Sequence, residues 1–334
     1  METSRRAFML ATAGAALAAG VNSAEAAEGT GLRLLTFERK DQPGARVGLA
    51  IAGDKVVDLV AAKKAGAALG FDPADMISLI AAGAPGLAQV RAVVAKPGET
   101  LALGDLRLHS PIPRPPRNIF AVGWNYLAHF NESETAQKAK QEYPAHPVFF
   151  SKASHSMNGP FDPIPFDPAV STLIDWEGEL AVVIGKGGRN IKEADAMGHV
   201  FGYSVINDTT ARDVQAKKHG GQWFKGKSLD GHGPMGPWIV TADGLDPDKL
   251  HLQTRVNGVV KQDAKTTQMY FKIPRIIAEL SAGLTLEPGD VIATGTPPGV
   301  GNARKPPEYL KPGDIMETEI EGIGIIRNTI TQVA

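Results

Sequence analysis

The chain has 334 residues, 43% of them hydrophobic, with 35 basic and 36 acidic side chains and a formal net charge of −1. This length and apolar content allow one large core or two modest ones. The balanced charge excludes the strongly basic class of nucleic-acid-binding proteins and favours a small-molecule partner. The absence of cysteine excludes disulfides and thiol chemistry.

The first 26 residues predict an export signal rather than folded structure. The arginine pair of "SRRAFML" precedes the apolar run "ATAGAALAAG" and then "AEA" at 24–26. This order is typical of a twin-arginine signal that is cleaved after an Ala-x-Ala site. An uncleaved anchor is the weaker alternative, because about 14 weakly hydrophobic residues are short for a bilayer. We therefore expect an exported, periplasmic protein with no membrane span after processing.

Residues 30–110 are predicted to form a small N-terminal α+β domain. A β-hairpin or meander with a turn at Gly53-Asp54 is indicated by the alternating segments "LRLLTFER" and "ARVGLAIAGDKVVDLVAA". Two short helices are indicated by "FDPADMISLIAAG", opened by Asp72-Pro73 and closed by Gly83, and by "PGLAQVRAVVAKPG". The proline-rich stretch "HSPIPRPPRNIF" then joins this part to the rest of the chain.

Residues 115–334 carry mostly strand signals. Eight short apolar segments separated by glycine and proline turns run from "NIFAVGWNY" to "DIMETEIEGIGIIRNTI". A single helical segment, "FKIPRIIAELSAG", interrupts them and begins near Pro274. Many short strands with one helix favour a β-rich α+β fold, a mixed roll or barrel, over a doubly wound sheet.

Acidic residues interrupt the apolar run "LIDWEGELAVVIG" at residues 173–185. On a strand, Glu177 and Glu179 project to the same side, about 7 Å apart along the chain. Asp208 follows another predicted strand, "HVFGYSVIND", at the point where a loop begins. If the three meet, an all-oxygen set suits Mg²⁺ first and Mn²⁺ or Ca²⁺ next. The alternative is an ordinary acidic strand face in contact with solvent.

Six blocks stand out in the second part of the chain: "IFAVGWNYLAHFNE", "DWEGELAVVIG", "INDTTARDVQ", "KGKSLDGHGPMGPWIV", "VNGVVKQDAKTTQM" and "LEPGDVIATGTPPGVG". They resemble, in the same order and over about residues 115–332, blocks of the fumarylacetoacetate hydrolase family. That resemblance implies the mixed roll or barrel fold of this family, and it suggests a homodimer.

The resemblance also implies roles for individual residues. Taken alone, Lys227 would be an ordinary solvated charge, and Thr296 is as consistent with a turn residue as with a carboxylate-binding one. Trp124 stands where a smaller side chain is more usual in the family, so it either lines the pocket or fills core space. The implied catalytic residues are His129, Glu132 and Lys227, the metal ligands Glu177, Glu179 and Asp208, and the substrate-binding residues Arg212, Gln215, Thr296 and Lys152.

Through the same resemblance, the chain is expected to be a metal-dependent hydrolase. It would cleave a carbon–carbon bond in a 1,3-dioxo or acylpyruvate-type acid through an enolate stabilised by the cation, with His129 and Glu132 activating water. One alternative is an isomerase or decarboxylase of a hydroxymuconate- or oxaloacetate-like acid. Another is a periplasmic protein that binds metal or ligand without catalysis, which would have no use for the His-Glu pair.

Overall fold

The computed structural model describes residues 31–133 and 142–333. The predicted export signal at residues 1–26 lies outside the described residues. Export and periplasmic location therefore stay predictions.

The described residues form nineteen strands and six α-helices. The helices are α1 (Leu59–Lys64), α2 (Met76–Ala95), α3 (Leu127–Glu132), α4 (Arg212–Lys217), α5 (Phe224–Lys227) and α6 (Ile273–Ser281). The strands are β1 (Arg33–Arg39), β2 (Gln42–Ile51), β3 (Lys55–Asp58), β4 (Thr100–Ala102), β5 (Leu106–His109), β6 (Ile119–Gly123), β7 (Val148–Lys152), β8 (Met157–Asn158), β9 (Ile164–Phe166), β10 (Ile174–Asp175), β11 (Gly178–Ile184), β12 (Val200–Asn207), β13 (Thr210–Ala211), β14 (Gly233–Thr241), β15 (His251–Val256), β16 (Val259–Lys265), β17 (Val291–Ala293), β18 (Ile315–Ile320) and β19 (Gly324–Gln332).

Twelve strands form one large mixed sheet, in the order β4-β3-β2-β1-β14-β12-β11-β17-β6-β7, with β5 beside β1 and β8 beside β14. A second sheet has the order β16-β15-β18-β19-β9, and β10 pairs with β13 in a short ribbon. Over residues 31–133 and 142–333 these sheets do not close into a barrel. The predicted strand-rich α+β class is confirmed. The division into domains at 30–110 and 115–334 stays a prediction, and the antiparallel pairing of β1 with β14 joins strands from both parts.

Strand β11 shows why the sequence around the acidic segment lacks polar alternation. All seven of its residues are buried. Leu180, Val182 and Ile184 pack into one hydrophobic cluster, whereas Ala181 and Val183 pack into another. Because successive side chains point to opposite faces, a strand covered on both faces reads as a continuous apolar run. The strand therefore forms a rigid support in the middle of the large sheet.

Helix α2 contains both of the helices predicted after the hairpin. Its N-cap is Asp75, whose carboxylate accepts hydrogen bonds from Ile77 N and Ser78 N, so the predicted start at Asp72-Pro73 was three residues early. Gly83 has φ 56° and ψ −141°, which interrupts the helix where the sequence predicted an end. By length and composition alone, this helix could cross a membrane. The interruption leaves two segments that are each shorter than the roughly 20 residues a span requires.

Candidate active site

Three buried carboxylates meet beside strands β11 and β12. The two strands are antiparallel, with Gly178 opposite Asn207, and Asp208 N donates to the carbonyl oxygen of Glu177 at 2.8 Å. One oxygen each from Glu177, Glu179 and Asp208 lies within 4.8 Å of the others. The structure thus brings together the three residues that the sequence predicted to be metal ligands.

Glu179 is the carboxylate of the triad whose pKa is raised by its surroundings. Burial, followed by the charges of Asp208 and Glu177, raises its pKa well above the usual range. Its Oε2 accepts one hydrogen bond, from Gly295 N at 2.7 Å. A buried glutamate with this environment favours either a proton or a cation beside it.

The other two carboxylates already contact cations of the protein. Burial alone would raise the pKa of Glu177, but the charges of Lys227 and Arg212 outweigh it and hold the pKa at about 2. Lys227 Nζ donates to Glu177 Oε2 and, at 2.7 Å, to Asp208 Oδ2. Asp208 Oδ1 forms an ion pair with Lys152 Nζ at 2.8 Å, although the geometry of this contact is poor for a hydrogen bond. Three converging carboxylate oxygens, with no histidine or cysteine among them, fit a hard divalent cation such as Mg²⁺, Mn²⁺ or Ca²⁺.

Asp175 belongs to this cluster in sequence but has a different task in the structure. The strand breaks after it, since β10 ends at Asp175 and β11 begins at Gly178. Its oxygens accept hydrogen bonds from Arg212 Nε at 2.7 Å, from Gly301 N at 2.6 Å and from Asn302 N at 2.9 Å. Arg212 Nη2 lies 2.7 Å from both Asp175 Oδ2 and Glu177 Oε1, so Asp175 neighbours the triad without belonging to it. It anchors Arg212 and the loop around Gly301 instead.

Arg212 and Gln215, predicted to bind substrate, both lie on the wall of the cavity next to the triad. Arg212 Nη2 lies 2.7 Å from Glu177 Oε1, and Arg212 Nη1 donates to Gln215 Oε1 at 3.1 Å. Helix α4 begins at Arg212, so one helical turn places both side chains on the same face. The arginine brings a permanent positive charge to the cavity, and the glutamine amide supplies a neutral donor.

His129 and Glu132 form the predicted pair on helix α3. His129 Nδ1 lies 2.8 Å from Glu132 Oε1, and Glu132 Oε2 accepts from Gly299 N at 2.8 Å. Gly299 has φ +104°, and a Cβ there would lie 2.1 Å from the carbonyl oxygen of Lys261, so only glycine fits. With the Nδ1 proton donated to Glu132, Nε2 is the basic nitrogen of the imidazole. Both residues line the cavity with Glu177 and Glu179.

Thr296 lies on the cavity wall, but its hydroxyl is engaged within the protein. Thr296 Oγ1 donates to the carbonyl oxygen of Gly178 at 3.1 Å and accepts from Gln262 Nε2 at 2.7 Å. Gln262 Oε1 in turn accepts from Gly178 N at 3.0 Å. The sequence left open whether Thr296 binds a carboxylate or holds a turn, and these bonds are those of a residue that holds the loop against β11.

Lys152 does not line the cavity, although the sequence assigned it to substrate binding. Its side chain is 0% exposed, at the end of β7. Its Nζ donates to the carbonyl oxygens of Lys227 and of His232, the latter at 3.1 Å, and lies 2.8 Å from Asp208 Oδ1. Direct contact with substrate is therefore not supported by its position. Lys152 instead holds Asp208 and the end of helix α5 in place.

Replacing Lys152 by methionine should lower the free energy of unfolding by about 3 to 5 kcal/mol, because it removes one of the two cations paired with the buried Asp208 and leaves the carbonyl oxygens of Lys227 and His232 without this donor. Denaturant unfolding of both proteins measures this loss. The matched control is Lys249→Met, because the side chain of Lys249 is 78% exposed. This substitution should change the free energy of unfolding by no more than about 0.5 kcal/mol. Equal small effects in the two variants would show that Lys152 has no such role.

The cavity has a volume of about 310 Å³ and two kinds of wall. One part is polar and carries the carboxylates of Glu132, Glu177 and Glu179 together with His129, Arg212 and Lys227. The other part is apolar and aromatic, formed by Val122, Gly123, Trp124, Phe150 and Trp223. Among these, Phe150 and Trp223 were not found by sequence reasoning, since their place on the wall depends on how β7 and α5 pack against β6. A concave cavity of this size that combines an apolar wall with a few converging polar groups is typical of a small-molecule site.

Residues 118–331 match the model of the fumarylacetoacetate hydrolase C-terminal domain. The chain is 42% identical over 293 residues to oxaloacetate tautomerase YisK of Bacillus subtilis, covering 85% of this chain and 95% of that protein. It is also similar to the solved structure of a fumarylacetoacetate hydrolase from Exiguobacterium antarcticum, with a TM-score of 0.76, 39% identity and coverage of 90% and 100% of the two chains. A maleylpyruvate hydrolase from Sphingobium sp. SYK-6, solved in complex with manganese(II) and pyruvate, has a TM-score of 0.72 and 30% identity, with coverage of 90% and 100%.

These matches extend over both the strand-rich part and most of the N-terminal part of the chain. Identity of 42% across 85% of the chain far exceeds what a shared fold alone requires. The chain belongs to the fumarylacetoacetate hydrolase family.

Proposed function

We propose that the protein catalyses keto–enol tautomerisation of a small 2-oxo acid of the oxaloacetate type, with a divalent cation bound by Glu177, Glu179 and Asp208. The observation that carries this proposal is the shared cavity, whose wall includes the His129–Glu132 pair and two carboxylates of the buried triad, Glu177 and Glu179. The 42% identity to an oxaloacetate tautomerase supports this reaction over carbon–carbon bond hydrolysis. We propose Mg²⁺ as the first choice of cation and Mn²⁺ as the next, from the oxygen ligands alone.

Tautomerisation moves one proton from C3 of the acid to the oxygen at C2 and consumes no water. His129 Nε2 is the base that takes the C3 proton and then, as the imidazolium, returns it to the C2 oxygen, while Glu132 holds the ring and stabilises the imidazolium in between. Lys227 lies on the cavity wall and offers N–H donors for the negative charge that develops at the C2 oxygen. A divalent cation held by Glu177, Glu179 and Asp208 would act as a Lewis acid that stabilises the enolate and so makes the C3 proton more acidic. Decarboxylation of a β-keto acid forms the same kind of enolate, and it is distinguished by the release of CO₂.

Hydrolysis of an acylpyruvate remains the second candidate, because the same His129–Glu132 pair can also activate water. The structural similarity to a maleylpyruvate hydrolase supports it. In that reaction His129 would act on water instead of on C3, so the two functions require different substrates but the same residues. A binding protein without catalysis has no need for the paired histidine.

The test is to follow the enol absorbance of oxaloacetate with the purified full-length chain, with and without Mg²⁺ or Mn²⁺. Acetylpyruvate is assayed in parallel for loss of its dioxo absorbance, and CO₂ release is recorded for oxaloacetate. We expect metal-dependent acceleration of tautomerisation and no comparable consumption of acetylpyruvate. Rapid pyruvate release from acetylpyruvate would establish the hydrolase instead. Binding of the cation with no turnover of either acid would favour the binding protein.

Location and assembly are proposals of the same kind. The signal at residues 1–26 supports export to the periplasm, and cell fractionation followed by sequencing of the mature N-terminus tests it. A homodimer is proposed from the family, and light scattering of the purified protein tests it.

A further inference from the structure

The backbone of the carboxylate triad is held by two side-chain amides where the strand ladder is interrupted. Strand β10 ends at Asp175 and β11 begins at Gly178. In this interruption Glu177 N donates to Asn207 Oδ1 and Gly178 N donates to Gln262 Oε1, both at 3.0 Å. Because a buried N–H group needs an acceptor, these two amide oxygens replace the carbonyl oxygens that a neighbouring strand would offer.

Both amides are buried, and their NH₂ groups are also used. Asn207 Nδ2 donates to Thr318 Oγ1 at 2.9 Å. Gln262 Nε2 donates to Thr296 Oγ1 at 2.7 Å and to the carbonyl oxygen of Pro297 at 2.9 Å. Since the oxygen of an amide only accepts and its nitrogen only donates, these bonds fix which end of each side chain faces the backbone.

The residue between the two glutamates of the triad is a glycine, and the packing requires it. A Cβ at Gly178 would lie 2.2 Å from Thr254 Oγ1 and 2.8 Å from Thr318 Cγ2. These threonines belong to β15 and β18 of the second sheet. The second sheet therefore packs directly against this backbone, which brings Gln262 of the same sheet to the triad.

Gln262 also holds the loop at residues 295–299, which carries both of its acceptors. The first glycine of this loop donates through its N–H to Glu179 Oε2 at 2.7 Å, and the last donates to Glu132 Oε2 at 2.8 Å. A displacement of Gln262 would therefore move the carboxylate that orients the His129 imidazole, in addition to the backbone of the triad.

We propose that Asn207 and Gln262 are positioning residues of the metal site. Each fixes the backbone between the glutamates so that the three carboxylate oxygens converge on one cation, and Gln262 also aligns the His129–Glu132 pair with the triad. This inference rests on the proposed function, because it assumes the cation that the triad is proposed to bind. Outer partners of metal ligands typically contribute about 10- to 100-fold to metal affinity or activity.

The experiment measures two quantities for the full-length protein and for the variants Asn207→Leu and Gln262→Met. They are the Kd for Mn²⁺ from titration calorimetry and the kcat for oxaloacetate enolisation at saturating Mn²⁺. Both variants should raise the Kd by about tenfold or more. Gln262→Met should in addition lower kcat by about tenfold, and the loss of kcat should be smaller for Asn207→Leu, because only Gln262 holds the loop that contacts Glu132.

The matched control is Asn328→Leu. Asn328 is a buried amide of the same second sheet, and its Nδ2 donates to the carbonyl oxygens of Gly159 at 3.0 Å and Asp162 at 2.8 Å, away from the cavity wall. This variant should lower the temperature of unfolding but leave the Kd for Mn²⁺ and kcat unchanged.

Milder variants keep the test valid if a larger substitution prevents folding. Thr318→Val removes the acceptor of Asn207, and Thr296→Val removes one acceptor of Gln262, while both preserve the shape of the side chain. Each should raise the Kd for Mn²⁺ in the same direction by a smaller factor.

Three outcomes would contradict parts of this account. If the amide variants bind Mn²⁺ as tightly as the unaltered protein, or if Asn328→Leu weakens binding equally, the positioning role is overturned while tautomerisation by the unaltered protein stands. If the unaltered protein binds Mn²⁺ but turns over no acid, the proposed function fails, and the Kd values still decide the positioning role. If the unaltered protein does not bind Mn²⁺, both proposals are overturned.

Discussion

Glu179→Gln should abolish metal-dependent turnover, with kcat/KM for the 2-oxo acid falling by about a thousandfold or more. A cation at an enolising oxygen is worth several kcal/mol, and each 1.4 kcal/mol or so corresponds to a factor of ten in rate. Glu179 is the ligand of choice for this test because its neighbours tolerate an amide. Gly295 N donates to its Oε2, and the side-chain oxygen of glutamine can accept the same bond. Glu177, by contrast, has ion pairs with Lys227 and Arg212 that a substitution would break.

Titration calorimetry with Mn²⁺ should show that the variant has lost metal binding, and thermal unfolding without metal should show that its stability is retained. The reason is that the raised pKa of Glu179, caused by burial and by Asp208 and Glu177, means the neutral side chain is already favoured without a cation. In the unaltered protein the proton and the cation compete for Glu179, so metal affinity should increase as the pH rises through this raised pKa. The exposed Glu321→Gln is the control. If Mn²⁺ binds the Glu179 variant as tightly as the unaltered protein, the metal assignment is wrong.

Two simple rules made the carboxylate triad a candidate from the sequence, and the resemblance to the family then favoured it over an ordinary acidic strand face. Side chains along a strand alternate between its two faces, so Glu177 and Glu179 are predicted to lie on the same side. Functional residues are often found where a strand ends and a loop begins, which makes Asp208 a candidate. The role of Asp175 was not predictable in this way, because it depends on the break between β10 and β11, and that break arises from pairing with β13, which is distant in sequence. Periodicity describes a strand only while its pairing partner stays the same.

Lys152, Phe150 and Trp223 show the complementary limit. Lys152 occurs in a block that resembles the family. Resemblance alone cannot distinguish a residue that contacts substrate from one that positions a proposed metal ligand, as Lys152 does for Asp208. The same β7 strand carries Phe150, which faces the cavity, whereas the Lys152 side chain runs into the interior. Trp223 reaches the cavity only because β6 ends in a glycine at residue 123. Such placements follow from packing between elements and have no local signal in the chain.

His129→Ala should lower kcat by about 10² to 10⁴, the usual contribution of a positioned general base, and should leave Mn²⁺ affinity unchanged. The separation is expected because His129 bonds to Glu132 and is not one of the three converging carboxylates. Steady-state kinetics with oxaloacetate and titration calorimetry on the same preparation measure the two quantities. His155→Ala, at an exposed histidine outside the cavity wall, is the control and should change neither.

The companion variant Glu132→Gln distinguishes a positioning role from a structural one. Glutamine can still accept from His129 Nδ1 through its side-chain oxygen, although its NH₂ group then loses the bond from Gly299 N, and it cannot stabilise the imidazolium by charge. The loss in kcat should therefore be smaller than for His129→Ala. A parallel loss of metal affinity and kcat in either variant would mean that the cavity has collapsed, and would remove the evidence for a base. Retained tautomerisation in His129→Ala together with lost hydrolysis of acetylpyruvate would instead assign the pair to the activation of water, because only the hydrolytic reaction requires that step.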